Sequence, residues 1–232
     1  MAPDEGRPDG IVDDDAYQVI VWSEGTAPDR PYPNDVNTTI AEHLNEHEDL
    51  IARTTSIEGP EQGITEAALE SADVLCWWGH LRHGDVTDET VERVERAVTE
   101  DGLGFIALHS GHYARPYKRL IGTSGDLGDV RTVEGESERV EVRAPDHPIA
   151  RGVEDFTLPQ VEMFGEPYDI PEPDDVVLHS TFSEGGEFRS GVTFTFGNGR
   201  GFYLRPGHEE FRIYHHPAIR RILTNAVRWA GE

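Results

Sequence analysis

Short apolar runs alternate with segments of helical period through the first half of this chain, and that alternation limits the folds open to it more than any other feature. YQVIVW (17–22), DLIARTT (49–55), DVLCWW (73–78) and LGFIALHS (103–110) read as strands. Between them, Val36, Ile40 and Leu44 recur every four residues behind Asn34 and Asp35, either of which can cap a helix. EAALES (66–71) suits a short helix, and Val91, Val94 and Val98 share one helical face. Strands that are apolar along nearly their whole length need helices over both faces of their sheet. The expected fold is therefore α/β with a mostly parallel central sheet, and ligands of such sheets sit beyond the carboxyl ends of the strands.

The pattern is less regular from 125 to 175, where RVEVRA adds a strand and PDHPIARG a turn. DVVLHSTF, GVTFTF and GRGFYLR complete the sheet, the last two joined through Gly197, Asn198 and Gly199 as a hairpin. A final helix over 217–229 opens on Pro217 and carries Ile219, Ile222, Leu223, Ala226 and Val227 as its buried stripe. No repeat or long linker interrupts the 232 residues. Residues 16–231 are thus expected to form a single domain, and residues 1–15 a disordered or loosely attached tail.

Forty-five Asp and Glu stand against 20 Lys and Arg, a net charge of -25, and Lys118 is the only lysine. Such a surface repels polyanions, so nucleic acid and anionic membrane are excluded as expected partners. The charge is spread along the chain and reads as a halophilic adaptation, since high salt screens carboxylate repulsion. Desalting is expected to lower stability; unfolding followed against salt at fixed pH checks this, and a flat profile contradicts it. The single cysteine, Cys76, lies inside VLCWW, so no internal disulfide forms and a reducing compartment is expected. No apolar stretch reaches the roughly 18 residues of a membrane span, and the acidic start lacks the parts of a secretory signal. The expectation is a cytoplasmic protein whose partner is a small molecule, with a homo-oligomer as the ordinary assembly.

Eleven histidines are present, and five fall in similar places. His80 and His83 follow DVLCWWG, His109 and His112 lie in IALHSGH, and His208 lies in RPGHEE. Each segment leaves a strand through a glycine-containing turn, so the three can converge above the sheet. Neutral imidazoles suit a divalent ion such as zinc. His80, His109, His112 and His208 form the expected metal set, with His83 beside them. A carboxylate is needed to move a proton or balance a cation. Glu162, flanked by Val161, Met163 and Phe164, leads, with its pKa expected to be raised by that apolar setting. His112 is a second catalytic candidate, and Glu24, Glu166 and Glu209 are alternative carboxylates.

Trp78, Tyr113, Arg115, Arg205 and Glu209 are expected to line the substrate pocket, the aromatic faces suiting a sugar. Cys76, in mid-strand with no base beside it, is a poor nucleophile. Ser110 is better placed, and a serine-dependent hydrolase with His109 or His112 as base is one alternative. His43 and His47 read as a solvated helix edge, and His147, His179, His215 and His216 as turn, strand and capping residues.

Together VLCWWGHLRHGDV, GFIALHSGHYARPYKRLIG, DHPIARGVEDF, GRGFYLRPGHEEF and HHPAIRRILTNAVRWA resemble the ThuA-like family, the trehalose utilisation proteins, over roughly residues 16–230. The resemblance implies a flavodoxin-like three-layer α/β/α sandwich of the class I glutamine amidotransferase-like superfamily. It also implies that His109 stands where amidotransferases carry their nucleophilic cysteine, which argues against ordinary glutamine hydrolysis. The implied function is an enzyme of carbohydrate metabolism acting on trehalose or a related keto-sugar, by divalent-metal-assisted isomerisation or hydrolysis. A non-catalytic sugar-binding or regulatory domain on the same scaffold is the alternative from a different class.

Overall fold

Residues 16–232 are described by the structure, a computed structural model; the expected tail over 1–15 lies outside them. β1 (Tyr17–Ser23), α1 (Asp35–Leu44), β2 (Leu50–Ser56), α2 (Glu66–Glu70), β3 (Val74–Trp78), α3 (Asp88–Thr99), β4 (Gly104–Leu108) and α4 (Arg115–Ile121) follow in alternation. The second half adds β5 (Leu127–Thr132), β6 (Glu138–Val142), β7 (Phe156–Leu158), β8 (Glu162–Tyr168), β9 (Asp175–Phe182), β10 (Glu187–Phe196), β11 (Gly199–Leu204) and α5 (Pro217–Ala230). Nine strands form one sheet in the order β2-β1-β3-β4-β11-β10-β9-β6-β7, while β5 and β8 pair separately. The first five of that order run parallel, and β10, β9, β6 and β7 extend them in antiparallel fashion.

Strand order reverses at β1, with β2 on one side and β3 on the other. Right-handed crossovers consequently send the connecting helices to opposite faces. α1 packs with α5, and α3 packs with α2 and α4, giving the two outer layers of an α/β/α sandwich. β3 and β4 are buried at every position, each apolar side chain there contributing about 1.5–3 kcal/mol. Trp77 stacks on Trp22 of the neighbouring strand at 3.8 Å between ring centroids. The stripe on α5 is buried as its spacing requires. His43 departs from its expected solvated edge. It is buried, and its Nε2 lies 3.0 Å from Thr224 Oγ1 of α5, because α1 lies against that helix.

Cys76 is fully buried in β3 and burial pushes its thiol up to about 12. A thiol reagent at pH 8 is therefore expected to label it only as fast as the protein unfolds; rapid labelling of the native protein would contradict this. No helix among the described residues is long and apolar enough to cross a membrane.

Candidate active site

β3, β4 and β11 are adjacent and parallel, so the residues that follow them emerge side by side at the carboxyl edge of the sheet. His80, His109 and His208 meet there. Their rings lie 5.3–6.1 Å apart between centroids.

His109 is the first residue after β4 and has a left-handed backbone, φ 50°. A non-glycine residue in that region is uncommon and costs of order 1–3 kcal/mol, a strain that concentrates at functional turns. Gly207 makes room for the turn, since a Cβ there would lie 2.1 Å from Tyr214 Oη and 2.9 Å from His109 Cβ. His109 Nδ1–H donates to the carbonyl of Arg205 at 2.9 Å. That bond leaves the lone pair on Nε2, which faces Glu162 Oε2 at 3.1 Å and is otherwise buried without a hydrogen-bond partner. Two acceptors at this distance call for a proton or a cation between them.

His80 is placed by Glu24, the residue after β1. The Glu24 carboxylate accepts the backbone N–H groups of Leu81 at 2.6 Å and Arg82 at 2.9 Å, fixing the turn. His80 Nδ1 lies 2.7 Å from Ser110 Oγ, and its Nε2 lies 3.7 Å from Glu209 Oε1. His208 follows a carbonyl held by the buried Trp78, whose indole donates to Gly207 O at 3.3 Å. Its Nδ1 accepts the Glu210 N–H at 3.2 Å, and its Nε2 lies 3.8 Å from Glu162 Oε1. Burial pushes the His208 imidazole down to about 4, so it is neutral at pH 7.

Two overlapping donor groups result, His80 with His208 and Glu209, and His109 with Glu162 and His208. Glu162 comes from outside the main sheet. It opens β8 opposite Thr132 of β5, whose hydroxyl donates to Glu162 Oε1 at 3.4 Å. Burial, the largest single influence, pushes its carboxyl up, but the contact with His109 and the nearness of the His109, His208 and His80 imidazoles outweigh it. The net direction is down, a correction to the raised value expected from its apolar neighbours. Its imidazole neighbours, invisible in the local sequence, decide the sign.

Several other expected residues stand elsewhere. His112 is outside both donor groups; its Nδ1–H donates to Gly125 O at 2.8 Å, and its ring lies against Tyr113 and Phe164. Burial there pushes it down to about 3. Trp78 is fully buried and offers no face to a sugar. Arg115 is turned away to Val86 O and Asp88, latching α4 to the start of α3. Arg205 is also buried, paired with Glu138 and donating to the Glu162 carbonyl. It cannot reach a substrate, because its guanidinium lies inside the protein. Glu166 is engaged by Arg189.

Tyr113 is partly exposed beside His112, with Lys118 over its ring, and Glu209 is buried within the cluster. Residues missed from the sequence are Phe164, stacked on His109 at 4.9 Å, and Glu138. Glu138 had a signal: in ERVEV it is in phase with the buried Val140 and out of phase with the exposed Arg139.

A family model described as "Trehalose utilisation" (ThuA) matches residues 18–230. No curated protein matches. Among solved structures, a putative thua-like protein from Bacteroides uniformis is 17% identical with a TM-score of 0.72, covering 97% of this chain and 95% of its own. Another from Parabacteroides merdae is 14% identical with a TM-score of 0.69, covering 93% and 90%. A putative GMP synthase protein from Thermoplasma acidophilum is 13% identical with a TM-score of 0.52, covering 92% and 93%. At these identities the likeness concerns the fold, while the family model spans nearly every described residue; on that span, this chain belongs to the ThuA, or trehalose utilisation, family.

Proposed function

We propose that this chain is an enzyme of carbohydrate metabolism that moves a proton next to the carbonyl of a keto-sugar related to trehalose, assisted by a divalent metal ion. The observation that carries the reading is the buried, unpartnered Nε2 of His109 facing the Glu162 carboxylate, with the unpartnered Oε2 of Glu209 in the same cluster. Imidazole nitrogens with carboxylate oxygens suit zinc and similar ions, and a ligating His commonly has its other nitrogen engaged by the protein, as His109 and His80 do. His109 with Glu162, and His80 with Glu209, are the imidazole–carboxylate pairs that would contribute ligands to the ion, each lying with His208 in one donor group. When bound, it supplies Lewis-acid polarisation of a sugar oxygen.

The chain's own groups account for the rest. Glu162, held below the usual carboxylate range, is ionised at neutral pH; its Oε2 faces His109, and its Oε1 acts as base toward a carbon-bound proton. Tyr113, exposed beside His112, offers its ring to the apolar face of a sugar. The test is metal analysis of untagged protein purified in high salt, joined to a turnover screen over trehalose and its keto derivatives. Stoichiometric metal with turnover of a keto-sugar supports the reading. Tight sugar binding without turnover across metals replaces it with a binding module.

A second reading rests on the 2.7 Å contact of Ser110 Oγ with His80 Nδ1. If the hydroxyl donates in that contact, Ser110 is the nucleophile of a hydrolase. Covalent labelling of Ser110 by a fluorophosphonate would favour it.

A further inference from the structure

His208 occurs in both donor groups, yet its hydrogen bonding separates it from the other two histidines. The nitrogen at issue is Nδ1. The Glu210 amide points its hydrogen at that atom from 3.2 Å. A backbone N–H cannot accept, so Nδ1 supplies the lone pair and the proton of a neutral ring sits on Nε2. A ring that binds an ion through Nε2 needs the opposite tautomer. Among the described residues Nε2 makes no hydrogen bond; Glu162 Oε1 lies 3.8 Å from it and Glu209 Oε2 lies 3.7 Å from Nδ1, both beyond hydrogen-bond reach.

We propose that His208 is a neutral hydrogen-bond donor to a substrate oxygen, and not a metal ligand. This deepens the reading of the site as a proton-transfer centre and rests on it for the identity of that oxygen. The oxygen is the carbonyl next to the carbon that Glu162 deprotonates. As the C–H bond breaks, its proton goes to the Glu162 carboxylate and its electron pair forms a C=C bond. The carbonyl π pair moves onto oxygen, where the His208 Nε2–H stabilises the enolate; return of the proton to carbon reverses the flow. A neutral imidazole N–H gives up its proton with difficulty, so it stabilises the developing charge without quenching it. The proposal departs from the expected metal set, which included His208, because the free position of this tautomer carries a hydrogen.

The test reads the tautomer directly. Two-bond ¹H–¹⁵N correlation on histidine-labelled protein, with and without added Zn²⁺, is expected to give a pyridine-type Nδ1 and a pyrrole-type Nε2 for His208. A protonated Nδ1, or a zinc-shifted Nε2, overturns the proposal. Zn²⁺ titration supplies a second measurement. His208→Asn keeps an acceptor for the Glu210 amide and loses the outward donor, whereas His208→Gln can place an N–H near the Nε2 position. Both are expected to bind Zn²⁺ within about threefold of the parent, while His109→Gln weakens it at least about tenfold. Equal weakening by His208→Asn and His109→Gln overturns the proposal. With a keto-sugar that the parent turns over, His208→Gln should retain more kcat than His208→Asn. Absence of turnover or of Zn²⁺ binding in the parent counts against the enzyme reading alone, since the tautomer is measured without either.

Discussion

Arg205→Met is expected to lower stability by about 3–5 kcal/mol, because it strands the carboxylate of Glu138 inside the protein without its partner. Both side chains are almost fully excluded from solvent, at 1% for Arg205 and 0% for Glu138. The Arg205 guanidinium is pushed down to about 9 by burial and still carries its charge at neutral pH. Against a total stability of ordinary size, such a loss is a large fraction, and a fall in Tm of roughly 10 °C is the corresponding reading by calorimetry. The double variant Glu138→Leu with Arg205→Met should recover most of it, since two apolar groups leave no buried charge. A single variant as stable as the parent would show that the pair is not a structural tie. The same guanidinium donates to the Glu162 carbonyl, and the Arg205 carbonyl fixes the tautomer of His109. Damage to it should therefore reach the site even where the fold survives.

Glu162→Gln is expected to reduce kcat for a keto-sugar by about 10²- to 10⁴-fold with little change in KM, the usual effect of removing a positioned base. The amide keeps the size of the carboxylate and its acceptor toward Thr132, so the fold is expected to persist. The pH dependence has a definite sign. Because the folded carboxyl lies below its ordinary value, the base form is complete above the ordinary carboxylate pKa of about 4.3 and is lost only as pH falls through the lower folded value. The same linkage makes the group a source of stability that is present above that ordinary value and disappears with it in acid. An acid limb centred near pH 6 would assign the base to another residue, and unchanged kcat in the variant would remove Glu162 from the chemistry.

The parallel half of the fold was legible because each of its elements has its own local signal. VLCWW and GFIAL are apolar without interruption, and α3 and α5 carry clean stripes, so period alone locates them. Convergence of His80, His109 and His208 was legible for the same reason, since residues after neighbouring parallel strands share one edge. β5 and β8 were not legible: LGDVRT is polar and largely exposed, and EMFGEPY contains glycine and proline. They are stabilised by pairing with each other, which is tertiary information. Trp78 and Arg205 are buried, Arg115 is engaged at the start of α3 and His112 lies outside both donor groups, placements not legible beforehand because type and proximity in sequence do not say which way a side chain points. Trp78 continues the buried ladder of β3, and Arg205 finds Glu138 from a distant strand. The direction of the Glu162 shift failed likewise, since its determinants are three imidazoles from other segments.

The separateness of the β5–β8 pair has one further outcome. The histidines are fixed by a continuous nine-stranded ladder, whereas the carboxylate that completes their chemistry is carried by a two-stranded ribbon outside that ladder. Two strands alone open more readily than the interior of a large sheet. Acid and imidazoles thus belong to two different sheets. A substitution in the ribbon can therefore move Glu162 while the imidazole constellation stays in place.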